Sequence, residues 1–122
     1  MVTMKINSIL IIDGDSDFRA LLKMLLLKIV PAARIEQIDP GASGRPGKDF
    51  NWAQYDLLFM EYNPGQVVNG LDWLREYTKH EDFPAIIILA AHGDEETAVR
   101  SFRSGARDYI SKERISNNRL VE

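Results

Sequence analysis

The chain contains no cysteine, and this one absence excludes several kinds of chemistry. Disulfide bonds, thiolate nucleophiles and cysteine-ligated metal centres are all ruled out, and the lack of thiols fits a reducing compartment. The two histidines, His80 and His92, are not spaced as a metal-binding pair on one helical face. We therefore expect no structural metal centre in this chain.

Long hydrophobic runs and an excess of positive charge are missing too. The longest apolar stretches, residues 9–12, 24–27 and 85–91, are far shorter than the roughly 20 residues that cross a bilayer. Residues 1–7 lack the pattern of a secretion signal. The formal net charge of −3 argues against a protein built to neutralise nucleic-acid phosphates. We expect a cytoplasmic protein in which residues 1–122 form one domain, with no contact to membrane or nucleic acid.

Five short segments predict the strands of a parallel sheet. Residues 8–12, 57–60 and 85–91 are almost continuously apolar, as in strands buried on both faces, whereas residues 34–38 and 108–111 alternate more. Helical periodicity lies between them. One helix follows an N-cap at Asp15 or Ser16 and stops before Pro31, a second covers residues 71–79, and a third runs from Asp94 to Gly105. Strands that alternate with helices are typical of an α/β fold.

The alternation breaks at residues 39–49, DPGASGRPGKD, where a full second helix is expected. Its glycines and prolines disfavour a regular helix, so we expect a mobile surface loop, with a short helix only within residues 49–54. Residues 41–48 are not a phosphate-binding P-loop, because Ala42 stands where a glycine is needed and Asp49 replaces the Ser or Thr.

Polar and small residues follow the predicted strands at one edge of the sheet. Ligands of open parallel sheets bind in the crevice beyond these carboxyl ends. The residues found there are Asp13, Gly14 and Asp15 after the first strand, Glu61 after the third, Ala90 and Ala91 after the fourth, and Lys112 after the fifth. Carboxylates from two strands and a lysine from another are therefore expected to share one pocket.

These motifs, in this order, resemble the receiver domain of two-component response regulators. The resemblance is carried by IIDGDSDFR (11–19), YDLLFMEYNPG (55–65), NGLDWL (69–74) and PAIIILAAHGDEETAVRSFRSGARDYISK (84–112), within residues 6–121. It implies a flavodoxin-like, CheY-like α/β fold with a five-stranded parallel sheet of order 2-1-3-4-5. The second helix is expected to be shortened and the last helix, beginning at residues 118–122, to be truncated. It also implies a non-enzymatic regulatory module of phosphorelay signal transduction.

In the family, a phosphoryl group is transferred to an aspartate after the third strand, and the resemblance implies five functional positions. Mg²⁺, held by an acidic pair after the first strand and by the acceptor, neutralises the developing charge. A lysine binds the phosphoryl oxygens. A Ser or Thr hydroxyl after the fourth strand hydrogen-bonds the product, and an aromatic residue of the fifth strand follows that movement.

Compared position by position, the chain departs from this pattern at three of the five. Glu61 stands at the acceptor position, Gly14 replaces the second acid of the pair, and Ala90 replaces the hydroxyl. Lys112 and Tyr109 retain the lysine and the aromatic residue. The acidic pocket is reduced to Asp13 and Asp15, which leaves weak Mg²⁺ binding at Asp13 as the most that we expect and predicts no resident cofactor.

These departures predict a degenerate receiver, or pseudo-receiver, that acts through protein–protein interaction independently of phosphorylation. Glu61 beside Lys112 either mimics the phosphorylated state or simply fills the pocket. Two alternatives stay open: a slow but functional Mg²⁺-dependent phosphoacceptor, and a flavodoxin-like ligand-binding or enzymatic domain.

The expected partner is another protein or an output domain of the same chain, with a homodimer as the alternative. We expect the chain to be the N-terminal piece of a longer multidomain signalling protein. The resemblance implies a contact surface on the fourth helix, fifth strand and fifth helix. The partner face predicted there comprises Arg100, Arg103, Arg107 and Tyr109, and a merely solvated basic face is the simpler interpretation.

Overall fold

The computed structural model describes residues 5–62, 70–79, 81–91 and 93–116, and its centre is one parallel sheet. The strands are β1 (Ser8–Ile12), β2 (Arg34–Ile38), β3 (Leu57–Glu61), β4 (Ala85–Ala90) and β5 (Asp108–Ser111). They pair in the order β2-β1-β3-β4-β5, all parallel, which confirms the flavodoxin-like sheet expected from the sequence.

Within the described residues, four helices lie between the strands and a fifth follows β5. They are α1 (Ser16–Ile29), α2 (Pro40–Ser43), α3 (Gly70–Tyr77), α4 (Glu95–Arg103) and α5 (Lys112–Ser116), with a 3₁₀ turn at Trp52–Gln54. The structure does not describe residues 63–69 and 117–122, His80 or His92. The predicted helix start at residue 118 therefore lies outside the described residues. No helix in the described ranges is both long and apolar enough to traverse a membrane.

Local signals explain where the helices begin and end. Of the two N-cap candidates for α1, Asp15 is the one used, and its carboxylate accepts the N–H groups of Asp17 and Phe18. Asp94 caps α4 by accepting the N–H of Thr97. Gly105 follows α4 with φ of 107°, a left-handed conformation that favours glycine after a helix.

Two apolar layers cover the two faces of the sheet. Along β1, Ile9 and Ile11 pack with α1 and α5, whereas Leu10 and Ile12 pack with α3 and the segment around Trp52. Both sides of β1 are completely buried, as the continuous apolar run predicted. Since the interior strands are sealed on both faces, the exposed end of the sheet is the place where polar side chains can meet.

The segment between β2 and β3 contains a helix where the sequence predicted a loop before residue 49. The Asp39 side chain caps the one-turn helix α2 by accepting the N–H of Gly41. Pro40 suits the first helical position, because an N–H group there would have no partner within the helix. The second helix is thus shortened, as predicted, but its place in residues 40–43 was missed.

Aromatic side chains pack together beside the shortened connection between β2 and β3. The Trp52 ring lies 4.6 Å from the rings of Phe50 and Tyr77 and 5.1 Å from that of Phe83, measured between centroids. Trp73 is 4% exposed and belongs to the same core layer. This layer gives the shortened connection its own hydrophobic anchor.

Arg45 attaches that connection to α3. Its guanidinium lies 5.5 Å from the Trp73 ring and 5.3 Å from the Tyr77 ring, and it forms an ion pair with Glu76. The Tyr77 hydroxyl donates a hydrogen bond to the carbonyl of Pro46 (3.0 Å). The segment that we expected to be a mobile loop is therefore held at its middle by cation–π and hydrogen-bond contacts.

Candidate functional site

Asp13 lies at the carboxyl end of β1 and is completely buried. Its Oδ1 accepts the N–H of Asp15 (2.8 Å), and its backbone carbonyl accepts a hydrogen bond from Arg19 (2.6 Å). Its Oδ2 lies 2.6 Å from the Nζ of Lys112. A buried carboxylate is costly unless it is compensated, so this ion pair is central to the pocket.

Glu61 ends β3 and uses both of its carboxylate oxygens within the protein. Oε1 accepts the backbone N–H of Gly14 (3.0 Å), and Oε2 lies 3.3 Å from the Nζ of Lys112. The backbone beyond Glu61 is fixed by Tyr62, whose N–H donates to the carbonyl of Leu89 on β4 (2.7 Å). One side chain thus contacts both the backbone that follows β1 and the lysine that follows β5.

Lys112 connects the two carboxylates from the first turn of α5. Its side chain is 17% exposed, and its Nζ lies 4.6 Å from the centroid of the Phe18 ring of α1. The ammonium group is therefore neutralised on one side by Asp13 and Glu61 and covered on another by an aromatic face. The sequence prediction that two carboxylates and this lysine share one pocket agrees with these distances.

Asp15 is not turned toward this ion pair, because its Oδ1 caps α1. It does line a shallow open cavity of about 340 Å³ at the mouth of the pocket. The lining residues are Asp15, Phe18, Ala91, Lys112, Glu113 and Ser116. The Asp15 carboxylate, which the sequence placed in the acidic pocket with Asp13, thus caps the N-terminus of α1.

The pocket offers the carboxylates of Asp13 and Glu61 as candidate ligands for Mg²⁺, fewer acids than the family pattern supplies. Mg²⁺ needs near-octahedral oxygen ligands, and position 14 contributes no side-chain oxygen. The oxygens of Asp13 and Glu61 that face the pocket are in contact with Lys112 or a backbone N–H. Within the described ranges, no group of three or more His, Cys, Asp or Glu side chains could hold a metal ion.

Ala90 and Tyr109 stand on neighbouring strands beside the ion pair. Ala90 is 4% exposed, ends β4 and pairs with Ser111 of β5. The Tyr109 side chain is half-buried, and its hydroxyl oxygen accepts the backbone N–H of Asp94 (3.2 Å). The aromatic residue is thus connected to the N-cap of α4, and the side chain of Ala90 is only a methyl group.

The arginines of the predicted partner face are exposed on and after α4. Arg100 forms an ion pair with Glu96 (2.6 Å), and the side chains of Arg103 and Arg107 are also exposed. Val99 and Phe102 of α4 are 42% and 50% exposed. The surface of α4 is therefore amphipathic rather than simply basic.

The N-terminus of α4 carries a perturbed carboxyl group. The backbone N–H and the hydroxyl of Thr97 donate to Asp94 at 2.7 and 3.0 Å. These hydrogen bonds hold the pKa of the Asp94 carboxyl below its usual range. The Asp94 side chain therefore stabilises the first turn of α4.

Two residues of the pocket were missed by sequence reasoning. Arg19 holds the carbonyl of Asp13 and donates to the side chain of Gln37 (3.0 Å). Asp39, at the end of β2, places Oδ1 3.9 Å from where a Cβ on Gly14 would lie. Asp39 followed a predicted strand and so carried the same signal as Asp13, whereas nothing in the pattern distinguished Arg19 from other helix-surface arginines.

Comparison with known proteins agrees with this fold. The family model described as the response regulator receiver domain matches residues 9–122. The chain is 26% identical over 107 residues to the chemotaxis protein CheY of Thermotoga maritima, covering 87% of this chain and 88% of that protein. It is 34% identical over 112 residues to the transcriptional regulatory protein SrrA of Staphylococcus aureus, covering 87% of this chain but only 42% of SrrA.

Solved structures share the fold at lower identity. The signal receiver domain of a DNA-binding response regulator from Colwellia psychrerythraea superposes with a TM-score of 0.73 at 19% identity, covering 88% of this chain and 86% of that one. The phosphorylated cyanobacterial phytochrome response regulator RcpA gives 0.75 at 15% identity, covering 96% and 89%. At these identities the likeness establishes the fold.

Proposed function

The chain belongs to the response regulator receiver family of two-component signalling, and we propose that it is a receiver whose output does not depend on phosphorylation. The observation that carries this proposal is the ion pair of Lys112 with both Asp13 and Glu61. It occupies the groups that phosphoryl transfer would need.

Glu61 is a poor phosphoryl acceptor for a geometric reason. Its stem is longer than that of aspartate by one C–C bond, about 1.5 Å. A misplacement of order 1 Å at a reacting centre costs about 10²-fold in rate. Its two oxygens are also bound to Gly14 and Lys112, so attack on phosphorus would first require breaking one of these contacts.

The route from the pocket to the surface is interrupted at Ala90. A phosphorylated pocket would have to be sensed by a hydroxyl at this position, and a methyl group cannot donate a hydrogen bond. Tyr109 is instead engaged with the backbone of Asp94 through its hydroxyl. Occupancy of the pocket would therefore have no polar contact at residue 90 through which to reach α4.

The output that we propose is protein binding through the face of α4. Phe102 and Val99 offer exposed apolar surface, and Arg103 and Arg107 flank them with positive charge. A partner protein, or an output domain, with a complementary apolar and acidic surface fits this arrangement. The chain spans 42% of the length of the transcriptional regulatory protein SrrA. One form of the partner that we propose is therefore an output domain in the same polypeptide.

A phosphodonor assay tests the proposal directly. The chain is incubated with a small-molecule phosphodonor and Mg²⁺, and intact mass is measured over hours. We expect no added phosphoryl mass, and no amide shifts at Asp13, Glu61, Ala90 or Lys112 when beryllofluoride is titrated. Stoichiometric labelling at Glu61 would overturn the proposal and support the slow phosphoacceptor. A functional receiver of known activity, treated in parallel, shows that the donor is competent.

A further inference from the structure

Two of the departures from the family pattern meet at one hydrogen bond. The N–H of Gly14 donates to Oε1 of Glu61 at 3.0 Å. Gly14 stands where the family pattern has an acid, and Glu61 stands where it has the shorter aspartate. The contact joins positions 47 residues apart in the sequence. The question is whether the glycine is required by the backbone, by space or by charge.

The backbone does not require glycine at position 14. Among the described glycines, positive φ occurs at Gly44 and Gly105 and not at Gly14, so any L-residue can adopt its conformation. Space does not require it either. A Cβ on Gly14 would lie 3.5 Å from Oε1 of Glu61 and 3.9 Å from Oδ1 of Asp39, which are ordinary contact distances.

Charge is the remaining reason. A carboxylate at position 14 would begin from a Cβ that already touches two carboxylate oxygens, one from Glu61 and one from Asp39. Like charges at such distances disfavour each other strongly where water is partly excluded. Lys112, the cation of this pocket, is already shared between Asp13 and Glu61.

We propose that Gly14 and Glu61 form one coupled pair that has converted a divalent-cation pocket into one neutralised by Lys112. Glu61 contacts Lys112 and the backbone N–H of Gly14 together. Position 14 tolerates the Glu61 carboxylate only because Gly14 carries no charged side chain. This inference rests on the proposed function but concerns the cause of the lost cation affinity. It requires that the two positions be reversed together: an acid at 14 conflicts with Glu61, and an aspartate at 61 alone adds no oxygen.

The test is a cycle of four proteins: wild type, Gly14→Asp, Glu61→Asp and the double variant. Mg²⁺ affinity is measured by calorimetry, and Mn²⁺ is titrated as a paramagnetic probe that broadens amides near the site. We expect the double variant to bind Mg²⁺ at least about tenfold more tightly than either single variant, a coupling within the range typical of interacting sites. Broadening in the double variant should centre on Asp13 and residue 14.

Three controls keep the outcome interpretable. The pair Gly14→Asn with Glu61→Asn reproduces the shapes without the charges and should show no Mg²⁺ response. Melting temperatures of all variants reveal a misfolded protein, in which case Glu61→Asp, by itself and combined with Gly14→Ala, tests whether shortening residue 61 frees the pocket without an acid at position 14. Equal affinity of one single variant and the double variant, or tight binding by the wild type, would overturn the coupling.

The outcomes separate this inference from the proposed function. Phosphorylation of the wild-type chain would defeat the proposed function whatever the cycle gives. A cycle without coupling in a chain that is not phosphorylated would defeat only the inference about Gly14 and Glu61.

Discussion

Replacing Lys112 with methionine removes the cation from the pocket while keeping an unbranched side chain of similar length. Asp13 is completely buried and loses the partner that lies 2.6 Å from its Oδ2. Its remaining hydrogen bond, from the N–H of Asp15, is to the other oxygen. The variant therefore leaves a buried and uncompensated negative charge, with Glu61 close to it on the neighbouring strand.

The size of the effect follows from burial. Breaking a buried ion pair by removing one partner costs about 3–5 kcal/mol. Lys112 and Glu61 are 17% and 20% exposed, so water offsets part of this cost and favours the lower end of the range. Methionine can still contact the Phe18 ring through its thioether, which replaces some of the lost cation–π contact. We expect a loss of about 3 kcal/mol, or about 12 °C in melting temperature for a domain of this size.

Urea unfolding followed by tryptophan fluorescence measures this loss, because Trp52 and Trp73 are both buried in the core. The matched control is the same substitution in an Asp13→Asn background, where no buried charge is stranded. There we expect Lys112→Met to cost no more than about 1 kcal/mol, so that the two substitutions are strongly non-additive. A cost below about 1 kcal/mol in the wild-type background, or an equal cost in both backgrounds, would refute the central role assigned to this ion pair.

Three further outcomes are expected. Arg45→Met should destabilise the fold by about 1–2 kcal/mol and expose the segment before β3 to proteolysis, with Arg45→Lys recovering only part, since lysine lacks the planar guanidinium that stacks on two rings. Burial, followed by the hydrogen bond to Glu36, raises the pKa of Tyr55 to about 12, so its stabilising contribution is present below about pH 10 and is lost as pH rises through 12; Tyr55→Phe should flatten that alkaline loss in a urea titration. The hydrogen bonds from Thr97 lower the pKa of Asp94, so its stabilising contribution is present at neutral pH and is lost as the solution is acidified through that lowered value; an NMR titration should place its inflection below that of exposed aspartates.

The sheet was predictable because burial on both faces leaves a strong trace in sequence. Three strands read as continuous apolar runs, and their order followed from the family motifs rather than from periodicity. The α2 region was not predictable to the same degree. Proline at the start of a helix is favourable, yet proline and glycine together read as a loop, and the contact of Arg45 with α3 joins residues about 30 positions apart.

The pocket residues were predictable as a set but not in their contacts. Strand ends placed Asp13, Glu61 and Lys112 together, since parallel strands share one carboxyl edge. The sequence named Asp15 as one of two N-cap candidates, but nothing in it indicated that Glu61 would bind the backbone of Gly14. Such contacts depend on side-chain lengths and directions across strands, which a linear pattern does not record.

The contacts at the start of α4 favour a partner face that operates independently of the pocket. In this chain the start of α4 is held by two contacts that involve no pocket oxygen: the Asp94 side chain caps the helix, and the Tyr109 hydroxyl accepts the Asp94 N–H. A ligand shifts an equilibrium only through contacts that differ between the two states. Since Ala90 offers no polar contact to report on Glu61 and Lys112, we expect changes in the pocket to alter stability without moving α4.

A Tyr109→Phe substitution should instead loosen the start of α4, seen as faster amide exchange at Asp94, while leaving the Lys112 ion pairs intact. Slower exchange there on binding of beryllofluoride to the wild type would show that the two regions are still coupled.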